Sequence, residues 1–412
     1  MPSFEDKLRE YAHLLVDVGI NLEKGQTLII NCQVDQAQMA RLCADAAYER
    51  GAREVVLNWT DEYLTRAKFL HGDDAVFDEC PEWRVRFLTD YARQGAGRLS
   101  LASGNPENLK GVDPDRLQRS SRASAEPLKE YMRLMMASAM PWCVGALASP
   151  AWAKAVFPDL PEKDAVEALW EKIFTAVRVK GDGTAVQAWK EHDARLQAHA
   201  QKLNEYRFDR LHYYNALGTD FTVGLCKDHI WCAGGEKTPK GQYFVANMPT
   251  EEVFTAPDRM RGEGVLCASM PLCMDGNIIE DIRFEIHEGK IVKATASSGE
   301  DVLQKAIALD EGACRFGEAA LVPYDSPIRQ AETLFYNTLF DENAACHFAF
   351  GEAYPSCVAG ATEWDEEKQT AHGLNASSTH VDFMIGTADL SIDGIQEDGT
   401  VIPVFRNGNF VF

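Results

Sequence analysis

The first half of the chain shows two spacings of its apolar positions. From Phe4 to Val18, apolar residues recur at the interval that defines one face of a helix. Thr27–Cys32 is a short continuous apolar run. Helical spacing returns from Ala37 to Arg50 and is followed by a second apolar run at Glu54–Trp59. Helix and strand in this order predict βαβ units, in which helices cover a parallel sheet.

The same rhythm continues towards the middle of the chain. Further strands are predicted at Arg98–Leu101 and Trp142–Leu147, and helices over Pro114–Met136, Ala165–Val179 and Ala185–Leu203. The pattern changes after the last of these helices. We therefore predict a boundary near residue 190, between an α/β scaffold domain (1–190) and a second domain (191–412).

The second half consists of short β-like runs separated by Gly, Pro and Asp turns, with one helix predicted at Val302–Asp310. The runs are Phe221–Leu225, Gly264–Ala268, Ile282–Ile286, Lys290–Ala294 and Val381–Ile385. The expected fold class is an α/β N-terminal domain with a mainly parallel sheet, followed by an α+β domain rich in antiparallel strands.

Nucleotides and nucleic acids are not indicated as ligands. The first predicted strand continues into Gln33-Val34-Asp35 without the G-x-G-x-x-G turn of dinucleotide-binding folds. The formal net charge is −22, from 63 acidic and 41 basic residues. Such a surface repels phosphate backbones, so we expect no nucleic-acid partner.

Several features favour a cytoplasmic location. No apolar run approaches the roughly 20 residues that cross a bilayer, and the N-terminal sequence MPSFEDKLRE lacks the pattern of a signal peptide. We expect no membrane partner. The 11 cysteines include no C-x-x-C pair and are interpreted as small buried apolar residues of a reducing compartment. Asn375-Ala376-Ser377 matches a glycosylation sequon, which has no meaning in a cytosolic chain.

His380-Val381-Asp382 is the sharpest chemical motif. In a strand, His380 and Asp382 point to the same face because they are two positions apart. An imidazole and a carboxylate on one face can share a divalent ion. The alternative is a His–Asp hydrogen bond at a strand edge, which is the more common use of so short a motif.

His347 and Tyr354 lie in a second region of interest. His347 is surrounded by small and apolar residues, where a histidine is more often part of the core than a ligand. Tyr354 follows shortly after Gly351, and its phenol could donate a hydrogen bond to a developing oxyanion. The alternative for Tyr354 is a half-buried packing role.

Carboxylates occupy two unusual positions. Glu318 stands between Gly317 and an apolar run. Glu251 and Glu252 precede an apolar pair, and in a strand at most one of these neighbours reaches a given site. For each Glu alone, exposure at the surface is the ordinary expectation.

Taken together, these residues offer carboxylate and imidazole donors without thiolate. Three carboxylates and two imidazoles suit a pair of divalent ions such as zinc, cobalt, manganese or magnesium. Such ions polarise a carbonyl and generate hydroxide near neutral pH. Neither H-E-x-x-H nor G-x-S-x-G occurs, so zinc-helix proteases and serine hydrolases are not indicated.

Ordered sequence blocks extend over essentially the whole chain. They are Val18–Asn21 with Lys24–Gln26, Ala151–Lys154, Gly218–Asp220, Asn247–Thr255, Gly317–Val322, Ser326–Ile328, Thr338–Asn343 and His380–Gly386. In this order the blocks resemble the aminopeptidase T / aminopeptidase S family of dinuclear metalloaminopeptidases. So many blocks make the resemblance specific.

The resemblance implies two divalent ions per subunit and assigns their ligands. The family's ligands fall on Glu252, Glu318, His347, His380 and Asp382, and its catalytic tyrosine falls on Tyr354. The match therefore selects Glu252 rather than Glu251. It places the metal-binding catalytic domain at 191–412.

The resemblance also implies an activity. Family members are exopeptidases of broad specificity that act on short peptides with a free N-terminus, and they form homodimers around an inner cavity. The implied mechanism uses Glu318 or Glu252 to take a proton from water and Tyr354 to stabilise the oxyanion. The alternatives are a dinuclear amidohydrolase acting on other small amides and a non-catalytic peptide-binding dimer.

Overall fold

The computed structural model describes residues 2–274 and 277–412. Its α-helices are α1 (Phe4–Leu14), α2 (Ala37–Glu49), α3 (Glu62–His71), α4 (Glu82–Gln94), α5 (Pro114–Ala125), α6 (Lys129–Met136), α7 (Pro150–Val156), α8 (Glu162–Ala176), α9 (Ala185–Tyr206), α10 (Glu300–Ile307), α11 (Thr338–Asp341) and α12 (Glu366–Ala371).

The strands divide into those before and those after the long helix α9. Before it lie β1 (Thr27–Gln33), β2 (Glu54–Thr60), β3 (Gly97–Ala102) and β4 (Trp142–Ala146). After it lie β5 (Arg210–Tyr214), β6 (Asp220–Leu225), β7 (Cys232–Ala233), β8 (Gly235–Lys237), β9 (Tyr243–Val245), β10 (Asn247–Met248), β11 (Val253–Thr255), β12 (Pro257–Cys267), β13 (Leu272–Met274), β14 (Asn277–Ile279), β15 (Arg283–His287), β16 (Lys290–Thr295), β17 (Phe316–Leu321), β18 (His347–Gly351), β19 (His380–Met384), β20 (Ser391–Ile395), β21 (Val401–Arg406) and β22 (Asn409–Phe410).

The chain separates into two compact units. Met1–His192 and Gly235–Pro249 form the first, and Asp193–Gly234 and Thr250–Phe412 form the second. No described helix combines the length and the apolar composition that crossing a bilayer requires.

The first unit is built on a parallel sheet with the strand order β10-β4-β3-β1-β2. The predicted parallel α/β fold is therefore confirmed. The π-helical turn that follows α1 lies close to β4, because a Cβ at Gly145 would come within 2.5 Å of Leu15. The buried Tyr11 hydroxyl accepts a hydrogen bond from the Ala146 amide at 3.0 Å.

Helices α3 and α4 between β2 and β3 were not predicted. Helix α3 has no buried residue, so its sequence lacks the apolar stripe by which an amphipathic helix is detected. Helix α1 is also shorter than predicted, since Leu15–Gly19 adopts a π-helical turn.

The second unit is built mainly on two antiparallel sheets, as predicted for this half of the chain, and its described residues also form the two-stranded antiparallel sheet β13-β14. Of the two main sheets, the larger has the order β16-β15-β12-β6-β5-β20-β21-β22, and the smaller has the order β19-β18-β17-β11-β7. Aromatic side chains from both sheets share one core, in which the rings of Phe221 and Phe348 lie 5.5 Å apart and those of Phe284 and Phe383 lie 5.0 Å apart. Burying each such side chain contributes roughly 1.5–3 kcal/mol, so this core holds the smaller sheet in place.

Candidate metal centre

Four neighbouring strands of the smaller sheet position the residues singled out from the sequence. Their order is β19-β18-β17-β11. His380 and Asp382 lie on β19, His347 begins β18, Glu318 lies on β17, and Glu252 immediately precedes β11. Residues that are far apart in sequence are therefore brought to adjacent strands.

The pairing register directs these side chains to one face. Ala349 pairs with Asp382 on one side and with Glu318 on the other, and Ala320 pairs with His347. Cross-strand partners point to the same face of a sheet. Because the two intervening alanines carry only a methyl group, they leave open space between the imidazole and carboxylate groups.

The other face of the same strands is aromatic. Phe348 and Phe350 alternate with His347 and Ala349 along β18, and Phe383 follows Asp382 on β19. All three Phe side chains are buried in the core of the second unit. Period-two alternation therefore anchors one face in the core and leaves the other for polar chemistry.

Glu318 is common to two sets of side chains that, within the described ranges, could each hold a cation. In the first set, His347 Nε2 lies 3.3 Å from Glu252 Oε2 and 3.8 Å from Glu318 Oε1. In the second set, His380 Nε2 lies 3.2 Å from Glu318 Oε2 and 3.4 Å from Asp382 Oδ1. The two oxygens of one carboxylate thus face different sets.

Both imidazoles are oriented by main-chain carbonyls. His347 Nδ1 lies 3.1 Å from the Ala345 oxygen, and His380 Nδ1 lies 2.7 Å from the Glu352 oxygen. A carbonyl can only accept a hydrogen bond, so each Nδ1–H is the donor. Nε2 is left facing the carboxylates, which is the usual arrangement of a metal-binding histidine.

The charges of the site favour a cation. Burial raises the pKa of Glu318, whose carboxylate is close to those of Glu252 and Asp382. Burial opposes charge on the imidazoles, but hydrogen bonds outweigh it: the contact with Glu252 raises the pKa of His347 to about 10, and contacts with Asp382 and Glu318 raise that of His380 to about 11. Divalent ions in place of these imidazole protons would neutralise the buried carboxylates. The oxygen and nitrogen donors present therefore fit such ions.

Glu251 and Glu252 have different surroundings although both are buried. Glu252 contacts His347. The Glu251 amide donates to Asn343 Oδ1 at 2.6 Å, and the Glu251 carboxylate belongs to neither set of candidate ligands. Of these two neighbouring glutamates, only Glu252 therefore belongs to a set of candidate ligands.

Tyr354 lies beside the second set of ligands. It is half-buried, and its ring centroid lies 5.1 Å from that of His380 and 6.1 Å from that of Phe254. Burial and the nearby carboxylates raise the pKa of Tyr354 well above its usual value. The phenol is therefore protonated at neutral pH and able to donate a hydrogen bond.

Glu342 lies in the same neighbourhood, and no motif of the sequence indicated a role for it. It lies in a short 3₁₀ turn after α11, and burial together with the charges of Glu252 and Asp382 raises its pKa well above the usual value. Its only sequence signal was its position inside the ordered block Thr338–Asn343. Glu342 and Asp382 help to line a cavity of about 40 Å³, whose other walls include Leu272, Tyr336 and Met384.

Comparison with known proteins identifies the family of this chain. Residues 4–410 match the family model described as thermophilic metalloprotease (M29). Aminopeptidase AmpS of Bacillus subtilis (strain 168) is 44% identical over 412 residues, which cover all of both chains. Aminopeptidase PepS of Streptococcus thermophilus is 42% identical over 412 residues, covering 100% of this chain and 99% of the relative.

A solved structure shows the same similarity in three dimensions. Wild-type AmpT from Thermus thermophilus superposes with a TM-score of 0.93 at 39% sequence identity, and the match covers 100% of each chain. The similarity therefore extends over the full length of the chain.

Proposed function

This chain belongs to the M29 family of metalloproteases and is a metallo-aminopeptidase, and we propose that it works with two divalent ions and broad specificity. Its substrates in this proposal are short peptides with a free N-terminus. The proposal also covers the roles of individual residues.

The sharing of Glu318 between two sets of ligands carries the two-metal proposal. Glu252 and His347 would hold one ion with Glu318, and His380 and Asp382 would hold the other. Mixed carboxylate and imidazole donors suit zinc, cobalt, manganese or magnesium.

The remaining polar groups suit peptide hydrolysis. When bound, divalent ions polarise a carbonyl and lower the pKa of water. Glu318 is committed to both ligand sets, and Glu252 to one. We therefore assign proton transfer to Glu342, which belongs to neither set and lines a cavity together with the candidate ligand Asp382. Its carboxylate accepts the proton of the attacking water and returns it to the departing amine.

Tyr354 completes the proposed reaction. Its phenol is protonated and lies next to His380. It donates a hydrogen bond to the oxygen that becomes negative as the carbonyl carbon turns tetrahedral. Donors aimed at a developing oxyanion act mainly in the transition state, so they accelerate the chemical step.

Selection of the first peptide bond follows from the excess of carboxylates. A free α-amino group is a hydrogen-bond donor, and acidic side chains around the centre provide its acceptors. Acetylation of that amine removes its positive charge and adds an acyl group where the acidic side chains would bind the amine. The enzyme should therefore act on free N-termini.

Homodimer formation and a cytoplasmic location are further parts of the proposal. The family resemblance supports the dimer. All 11 cysteines of the chain are free thiols, which suits a reducing compartment. Sedimentation equilibrium of the purified protein measures the mass in solution, and a monomer at all concentrations would contradict the dimer.

One experiment tests the proposed function. Chelator-treated protein should be inactive, should regain activity with zinc or cobalt, and should bind two ions per chain. It should hydrolyse a panel of dipeptides and aminoacyl amides but not their N-acetylated analogues. Equal rates on blocked amides would favour the amidohydrolase alternative, and metal binding without turnover would favour the non-catalytic peptide-binding dimer.

A further inference from the structure

The orientation of His380 depends on a carbonyl outside the sheet. His380 Nδ1–H donates to the Glu352 oxygen at 2.7 Å, which directs Nε2 towards Glu318 and Asp382. Glu352 lies just after Gly351, the last residue of β18. Because the ladder between β18 and β19 does not hold this carbonyl, other contacts must fix its position.

Asn375 provides contacts of this kind. Its side-chain amide donates to the Gly351 oxygen at 2.6 Å and to the Gly312 oxygen at 2.8 Å. The main-chain oxygen of Asn375 accepts a hydrogen bond from the Ala353 amide at 2.9 Å. Asn375 therefore binds the main chain on both sides of Glu352. The side chain is buried, with only 2% of the residue exposed, so water competes little for these hydrogen bonds.

The surrounding backbone leaves little room for the Glu352 carbonyl to shift. A Cβ at Gly317 would come within 2.1 Å of the Glu352 oxygen. A Cβ at Gly351, whose φ is 110°, would come within 2.0 Å of the Thr379 oxygen. In addition, the Glu352 amide donates to that Thr379 oxygen at 2.7 Å. Glycine at both positions permits the close approach, and Asn375 links the segment to the neighbouring Gly312 loop.

The burial of Asn375 also explains why the triplet Asn375-Ala376-Ser377 is not a glycosylation site. A glycan acceptor needs an exposed asparagine amide. Here both hydrogens of that amide are directed at main-chain oxygens in the interior. The asparagine is thus a structural part of the region behind His380.

We infer that Asn375 is a positioning residue for the metal centre: by holding the Gly351–Glu352 backbone, its side-chain amide fixes the Glu352 carbonyl and through it the ring of His380. The side-chain amide of Asn375 donates to main-chain oxygens and not to a candidate ligand. The inference rests on the proposed role of His380 as a ligand. Its effect should therefore appear first in metal binding and only through that in catalysis.

Asn375→Ala tests the inference in the full-length protein, with cobalt(II) as the probe. Loss of a group that orients a metal-binding histidine typically lowers metal affinity by about 10- to 100-fold. We expect a loss of this size for the cobalt ion that His380 would bind, together with an altered visible absorption spectrum. At saturating cobalt, kcat should fall while KM changes by less than about threefold.

Asn204→Ala is the matched control. The side chain of Asn204 also binds the main chain. Its amide donates to the Trp231 main-chain oxygen at 3.0 Å, and its Oδ1 accepts from the Trp231 main-chain amide at 2.9 Å. It should lower the melting temperature without changing cobalt affinity. Asn375→Ser keeps one donor in place of two, should give an intermediate loss, and decides the question if Asn375→Ala does not fold.

The outcomes are distinct. Wild-type affinity and spectrum in Asn375→Ala, or in Asn375→Ser if only that variant folds, would overturn the positioning role. An equal loss of affinity in Asn204→Ala would overturn it as well, because general destabilisation would then account for the effect. Wild-type protein that binds no divalent ion would instead contradict the proposed metal centre.

Discussion

His380 and Glu318 contact each other across an intervening strand. His380 Nε2 lies 3.2 Å from Glu318 Oε2, although β18 separates β19 from β17. Between these two side chains, β18 contributes Gly351, which pairs with His380, and Ala349, which pairs with Glu318. The contact is possible because neither residue has side-chain atoms beyond Cβ.

Ala349→Leu should therefore empty the site by crowding it. A leucine side chain would enter the space between Asp382 and Glu318. We expect metal affinity and kcat/KM each to fall by about 10-fold or more, which is the size of effect seen when the orientation of a ligand is lost. Ala319→Val is the control, since Ala319 faces the core. Overpacking there should cost roughly 1–3 kcal/mol of stability with metal content unchanged. Normal cobalt binding by Ala349→Leu would show that the ions do not occupy the space between Asp382 and Glu318.

Glu252→Gln and Glu251→Gln form a matched pair. Each removes one negative charge from a buried position in the same stretch of chain. Only Glu252 belongs to a ligand set, so Glu252→Gln should lose bound metal and most activity, whereas Glu251→Gln should retain both. Elemental analysis and kcat/KM of the two variants measure this difference. The opposite ranking would mean that the ligand assignment is wrong by one residue.

Tyr354→Phe should lower kcat by roughly 10²- to 10³-fold, the range observed when a single oxyanion donor is removed. KM, metal content and melting temperature should change little, because the ring beside His380 remains and only the hydroxyl is lost. A loss of bound metal would indicate a ligand role instead. A lower melting temperature with normal kcat would indicate a packing role.

Glu342→Gln should reduce kcat by roughly 10²- to 10⁴-fold, since general acid–base catalysis contributes about that much. Both ions should stay bound, because Glu342 is outside the two ligand sets. Measuring metal content and kcat on one sample distinguishes proton transfer from metal ligation. Full activity of Glu342→Gln would mean that Glu318 or Glu252 transfers the proton instead.

Secondary structure in the first half was readable because its signal is local. Apolar spacing predicted α1, α2, β1 and β2 to within a few residues. Strand β17 was missed for a related reason. Every residue from Phe316 to Leu321 is buried, including Glu318, so the sequence lacks the alternation that marks a half-exposed strand.

Other features depended on the path of the chain in space. The segment Gly235–Pro249 joins the first compact unit, where β10 pairs in parallel with β4. A strand of two residues has no recognisable pattern of its own. Asn375 likewise matched only a glycosylation sequon, and its contacts with Gly312 and Gly351 become visible only after folding.

The sequence by itself determined the fold class, the family and the kind of chemistry, because apolar periodicity, ordered motif blocks and donor types are properties of short stretches. It also placed His380 and Asp382 on one face of a strand, since side chains two positions apart in a strand point the same way. Only the tertiary structure decided that Glu252, Glu318 and His347 meet them. Strand order and register set that convergence, and both depend on how two sheets bury their aromatic faces together, which no local pattern specifies.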